Sequence, residues 1–305
     1  MLMKPLSGIR VLSLAINIPG PVAVARLHQL GASVVKVEPP DGDLLASASP
    51  EWYAALHHGL TIFKLDLKSD AGQTKIQDLL RNSDLLITSN RLAALRRLNL
   101  DWSLLAGRYP RLCQVAIIGY PSPNEARPGH DLTYLASLGL LDPPHLPRTV
   151  LADLAGAERS VSASLALLLG RERFIQESNN SNNGNDVHDS EKPKEYERFT
   201  QVSLAEAAKA FAQPLFHGLT APHSLLGGGV PGYNLYKAQD GWIAVAALER
   251  HFLERLQNEL GLGKVTQANL AEAFLARSAD SWETWAIERD LPIAAVHDPL
   301  DQPIG

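Results

Sequence analysis

The sequence predicts an α/β fold, in which a mostly parallel sheet covered by helices forms a large domain and a smaller α+β domain follows. Three observations predict it. Strand-like and helix-like runs alternate as far as Ile118, the apolar spacing turns helical beyond Gly129, and two short alternating strands follow from Tyr233.

Ile9 to Leu14 reads as a buried strand, Pro21 to Leu30 as a helix ending at Gly31, and Ser33 to Val37 as the next strand, which makes a βαβ unit. Thr61 to Leu67, Leu85 to Thr88 and Leu112 to Ile118 continue the strands, with Ala71 to Asn82 as a helix between them. Such repeated alternation favours a Rossmann-like parallel sheet. Helices are expected from Leu132 to Leu140 and from Asp153 to Leu169, with Asp153 at the helix start behind an extended Thr149 to Ala152.

Residues 174–198 contain SNNSNNGNDVHDSEKPKE, which is too poor in apolar residues to repay the entropy of ordering and reads as a disordered polar insertion. Residues 1–173 then form the large domain, 199–226 a connecting helix and 227–305 the small domain. The connecting helix starts at Ser203, with Glu206 completing a capping box. Tyr233–Lys237 and Trp242–Ala246 flank Asp240-Gly241, a hairpin signal, and His251 to Leu260, Asn269 to Arg277 and Ser281 to Arg289 are amphipathic helix candidates.

With 305 residues, 45% of them hydrophobic, the chain can bury a full core. A net charge of −5 gives no general attraction to nucleic acid or anionic lipid. The single cysteine, Cys113, lies in an apolar run and is expected as a core thiol, which excludes an internal disulfide. Neither a signal peptide nor a membrane-length apolar run is present, so a cytoplasmic protein without membrane or nucleic-acid partners is expected. The scattered histidines, His57 and His58 among them, show no metal-site spacing, and no metal is expected.

The opening PLSGIRVLSLA, then GPVAVARLHQLGASVVKVEPPDGD, LDLKSDAG, SDLLITSNRLAALRRLNLDW and PRLCQVAIIGY together resemble the CaiB/BaiF, or family III CoA-transferase, group in order and spacing. Within that group GHDLTYLASLG, LADLAGA and YNLYKAQDGWIAVAALE resemble the α-methylacyl-CoA racemase branch, which carries histidine where the transferases usually carry tyrosine. The resemblance implies the two-domain fold of that family, an acyl-CoA substrate with no cofactor beyond its own coenzyme A, and a homodimer. It also implies that His130, Asp153 and Glu249 are catalytic, with Glu249 holding the imidazole of His130. Arg91 and Arg97 match positions that contact nucleotide phosphates, Leu65 and Leu67 a stretch flanking the adenine, and Asp131 and Tyr134 positions lining the pantetheine and thioester region.

Those residue types suit the chemistry. Racemising a 2-methylacyl thioester needs two acid/base groups flanking the α-carbon, and an imidazole and a tuned carboxyl can fill both places. Backbone N–H groups at the start of the Asp153 helix are available in principle to the enolate oxygen, and Ala155, Gly156 and Ala157 would let the thioester approach closely. Alternatives stay open at this point. Asp153 could attack a thioester as the nucleophile of a CoA-transferase, or the chain could bind coenzyme A without turnover. Taken singly, His130 reads as a cap histidine, Asp153 as an N-cap, Glu249 as a solvated helix residue, and Arg91, Arg96 and Arg97 as an exposed charged face.

The sequence also departs from the family. GYPSPNEARPGHD replaces a glycine-rich stretch, LHHGLTIF replaces basic residues before LDLK, Pro39 stands where some relatives have arginine, and HDPLDQPIG ends where relatives run on.

Overall fold

The structure, a computed structural model, describes residues 4–183 and 196–298. The chain divides into two compact units, Met1–Phe211 and Ala212–Gly305.

In the first unit β1 (Arg10–Ser13), α1 (Pro19–Gln29) and β2 (Ser33–Glu38) form the expected βαβ unit. Pro19 presets the first helical turn, and Gly31, at φ +109°, follows the helix in a conformation that glycine takes without a steric penalty. Two short helices the sequence did not announce, α2 (Leu44–Ala48) and α3 (Pro50–Leu56), lead to β3 (Thr61–Lys64), α4 (Asp70–Arg81) and β4 (Leu85–Thr88). Then come α5 (Leu92–Arg97), α6 (Trp102–Arg108), β5 (Cys113–Ile118), α7 (Asp131–Ser137), α8 (Leu151–Asn183), β6 (Phe199–Ser203) and α9 (Leu204–Phe211).

Six parallel strands lie in the order β3-β2-β1-β4-β5-β6. Every residue of β4 and β5 is buried, as expected of central strands covered on both faces. Val24 and Leu27 of α1, Leu135 of α7 and Val161 of α8 join the core cluster on one face, while Ile76, Leu80, Leu95 and Leu105 join the other. Cys113 is fully buried within the first cluster. The strand order runs outward in both directions from β1 and β4, so a crevice opens beyond their C-terminal ends.

Several boundaries differ from the sequence reading. Helix α8 begins at Leu151, not Asp153, and continues as far as Asn183, so residues 174–183 of the expected disordered insertion are helical. Once a helix is nucleated by packing, each added residue gains a hydrogen bond, and polar side chains do not stop it. Residues 184–195 of that insertion lie outside the described residues. The connecting segment expected at 199–226 begins with β6, which pairs with β5 and so attaches residues 199–211 to the first unit. The cap at Ser203 is present, its Oγ accepting the Glu206 N–H at 3.2 Å.

The second unit holds α10 (Gln213–Phe216), β7 (Tyr233–Lys237), β8 (Trp242–Ala246), α11 (Arg250–Glu259), α12 (Gln267–Phe274), α13 (Ala279–Ile287) and β9 (Ile293–Ala295). Its strands form an antiparallel sheet in the order β7-β8-β9, over a core that includes Tyr236, Phe274, Trp282 and Trp285. Among the described residues no helix is long and apolar enough to cross a membrane.

Candidate active site

The crevice at the ends of β1 and β4 is occupied by side chains from both. A cavity of about 270 Å³ is lined by Ile16 and Asn17 after β1, by Ser89, Asn90 and Arg91 after β4, and by Gly119 after β5. The loop and helix that follow add Arg127, His130 and Tyr134, and α8 adds Asp153. A second cavity of about 470 Å³ is more apolar, with Ile18, Leu132, Leu146, Pro147 and Val150 in its wall. Among the described residues, only His130 and Asp153 line both.

His130 occupies the N-cap of α7, with extended backbone and an exposed side chain. Its N–H donates to Thr133 Oγ1 at 3.0 Å, and the Thr133 hydroxyl returns a bond to the His130 carbonyl at 2.8 Å. These local bonds fix where the ring leaves the backbone.

Asp153 lies in the first turn of α8. Its carboxyl is pushed up from the usual carboxylate range to about 7, first by burial and then by the charge of Asp131. Asp131 is itself buried, and its Oδ1 accepts the N–H groups of Ala152 at 2.6 Å and Asp153 at 3.1 Å. The Asp131 carboxylate, capping the start of α8, works against a second negative charge beside it.

Tyr134 is buried to 2% exposure, and its hydroxyl lies between two glycines. A Cβ at Gly119 would stand 2.5 Å from Tyr134 Oη, and one at Gly129 would stand 2.6 Å from its Cε1 and 2.9 Å from Tyr120 Cε2. Burial raises the phenol to about 12, with Asp153 adding to the effect, so the hydroxyl keeps its proton at neutral pH. Gly129→Ala is expected to displace the Tyr134 ring and to cost about 1–3 kcal/mol as overpacking, read as a lower urea midpoint.

A model of CoA-transferase family III matches residues 6–302. The chain belongs to that family. A CaiB/baiF CoA-transferase family protein of Caenorhabditis elegans is 29% identical over 303 residues, covering 91% of this chain and 81% of the relative. The human alpha-methylacyl-CoA racemase is 29% identical over 274 residues, covering 84% of this chain but only 65% of the racemase, so the chain spans about two thirds of that relative's length. The crystal structure of the Mycobacterium tuberculosis protein Rv3272 superposes with a TM-score of 0.80 at 23% identity, covering 99% of this chain and 88% of the other, a likeness of fold.

For this family member the residues singled out by sequence divide into groups. His130, Asp153, Tyr134 and Arg91 line the first cavity together. Asp131 lines the second cavity, but its carboxylate is committed to the start of α8. Arg97 does not line either cavity; α5 carries it away from Arg91, and its Nε turns back to the Ala93 carbonyl at 3.3 Å. Leu65 and Leu67 pack against the core cluster that holds Leu80 and Leu95. Glu249 belongs to the second unit, where it is the exposed N-cap of α11.

Two expectations about α8 are overturned. The N–H groups of Ala152 and Asp153 are taken by Asp131, and that of Leu154 donates to the Val150 carbonyl at 3.0 Å, so these three do not face a ligand. Ala155 and Ala157 are buried in the interior, and a Cβ at Gly156 would stand 2.2 Å from Leu204 Cδ2. Small residues there serve the close packing of α8 on α9. Sequence reasoning missed Asn17, Ser89, Asn90 and Arg127; their common signal is position, just beyond β1, β4 and β5.

Proposed function

We propose that the chain interconverts the two configurations of 2-methylacyl-CoA thioesters, His130 and Asp153 exchanging the α-proton. The observation that carries this reading is that, among the described residues, these two alone belong to both cavities, with the Asp153 carboxyl titrating near neutrality. A group whose pKa matches the working pH serves as acid and as base with little penalty either way, and imidazole has that property without tuning. One group removes the α-proton as the electron pair moves onto the thioester oxygen; the other returns a proton to the opposite face. The Tyr134 hydroxyl, protonated and engaged by no other described residue, donates to the enolate oxygen. Arg91 faces the phosphates of coenzyme A, and the more apolar cavity takes the acyl group.

CoA transfer between carboxylates is the second reading, favoured by the Asp153 carboxylate being open to the cleft with no hydrogen bond from the described residues. A nucleophile, however, gains nothing from being half protonated at pH 7. The test is a 2-methylacyl-CoA incubated in heavy water, with and without an acceptor acid. Deuterium is expected at the α-carbon without acceptor, and His130→Ala should reduce that incorporation by on the order of 10³-fold. Acyl exchange that requires the acceptor and survives His130→Ala would establish transfer instead. Binding without either reaction would leave a coenzyme A-binding protein.

A further inference from the structure

Beneath the cleft lies a charged cluster that no step above employs. Lys36 of β2 is fully buried, and its ammonium lies 2.6 Å from Asp43 Oδ2, 3.0 Å from Glu38 Oε1 and 2.8 Å from His57 Nε2. Its three donors are therefore matched by three acceptors. His57 Nδ1 stands 2.6 Å from the Tyr53 carbonyl, to which it donates, leaving Nε2 to accept from the lysine. Burial pushes the imidazole below its usual range, which keeps it neutral in that role. The ligand atoms of Glu38, Asp43 and His57 lie within 4.8 Å of one another, as around a metal ion, and the ammonium fills the place between them.

What the cluster holds in place is Asp43. Its Oδ1 accepts the N–H of Asn17 at 3.0 Å and that of Leu45 at 3.1 Å. Asn17 has φ +68°, a left-handed conformation that asparagine tolerates at some cost. On one side of it the Ile16 N–H is fastened to Ser89 Oγ at 3.0 Å. Asn17 lines the first cavity and Ile18 the second, so this loop is the partition between the two spaces that meet at His130 and Asp153.

We propose that Asp43 and Lys36 are positioning residues for the cleft: the buried ammonium fixes the carboxylate, and the carboxylate holds the Ile16 to Ile18 loop in its strained form. The inference rests on the acyl-CoA reading only in taking the cleft for the substrate site. An uncompensated Asp43 beside Glu38 would be two buried carboxylates without a cation, which explains why the lysine is there.

The test combines amide hydrogen exchange at Asn17 with calorimetric titration of coenzyme A, on the full chain. Asp43→Ala is expected to speed exchange at the Asn17 amide by about 10-fold or more and to weaken coenzyme A by about 10-fold. Asp43→Asn, which retains an oxygen for Asn17, should keep most of the protection. Arg171→Met, which breaks a buried ion pair at the opposite end of the sheet, should lower stability yet move neither readout. Should Asp43→Ala not fold, Asp43→Glu displaces the same carboxylate by one methylene and carries the same expectation. Unchanged exchange at Asn17, equal changes in Arg171→Met, or full coenzyme A affinity with a released loop would each overturn the proposal. Failure of the wild-type chain to bind coenzyme A strikes the functional reading, and the exchange result then still decides the anchor.

Discussion

Asp153→Asn should abolish turnover and at the same time make the protein more stable above pH 7. Under the proposed proton exchange the loss follows from removing one of the two proton carriers, and a drop of on the order of 10³-fold or more is expected in α-deuteration. The gain follows from linkage. In the folded chain the carboxyl titrates at about 7, whereas an unfolded aspartic acid titrates near its ordinary value of 3.8. Between those values the folded state holds the proton more firmly, so this group's contribution to stability falls as pH rises through the window. The whole shift corresponds to roughly 4 kcal/mol; partial solvent access reduces that to about 2 kcal/mol. Asparagine cannot ionise and escapes the penalty. Urea denaturation at pH 8 should therefore favour the variant by about 2 kcal/mol, and the two proteins should converge below pH 4. A wild type as stable as the variant at pH 8 would show that the carboxylate is solvated in the cleft.

Arg171→Ala should be the most damaging single change to the first unit. Arg171 is 1% exposed, and its Nη1 donates to Asp84 Oδ1 at 3.2 Å and to the Arg111 carbonyl at 3.0 Å. Asp84 in turn accepts the Arg10 N–H through Oδ2 at 2.9 Å. The guanidinium thus ties α8 to the N-terminal ends of β1, β4 and β5, and truncation leaves the buried Asp84 carboxylate facing only the more exposed Arg10 guanidinium, at 3.5 Å. Removing one member of such a pair costs about 3–5 kcal/mol. Thermal unfolding of the variant checks this, and a loss no larger than that of an exposed pair such as Arg250 with Glu254 would refute it.

The two predictions draw on features of unequal legibility. The apolar runs of β1, β4 and β5 announce a covered parallel sheet, and the hairpin of β7 and β8 is written in its alternation and its Asp240-Gly241 turn. β6 is different: Phe199–Ser203 has no apolar run, and it is a strand because β5 offers it an edge. His130 and Asp153 could be found through motifs, since each stands inside a segment with family character. The carboxylate of Asp131 across the start of α8, the glycines around Tyr134, and Lys36 among Asp43 and His57 could not. Each is a contact across a connecting segment, as from Lys36 to Asp43 and His57 or from Asp131 to Ala152, set by how the loops fold back on the elements, and local periodicity carries no record of it.

Helix α8 joins these observations in one object. Asp153 and Arg171 are eighteen residues apart on it, which at 3.6 residues per turn is five turns, about 27 Å. Both side chains therefore leave the same azimuth of one rod, one into the cleft and the other onto the starts of β4 and β5 at the opposite end of the strands. The number of residues between them sets the angular offset of Asp153 from Arg171. A single residue gained or lost between them would swing the carboxyl by about 100°, so this stretch of α8 tolerates substitution far more readily than a change of length.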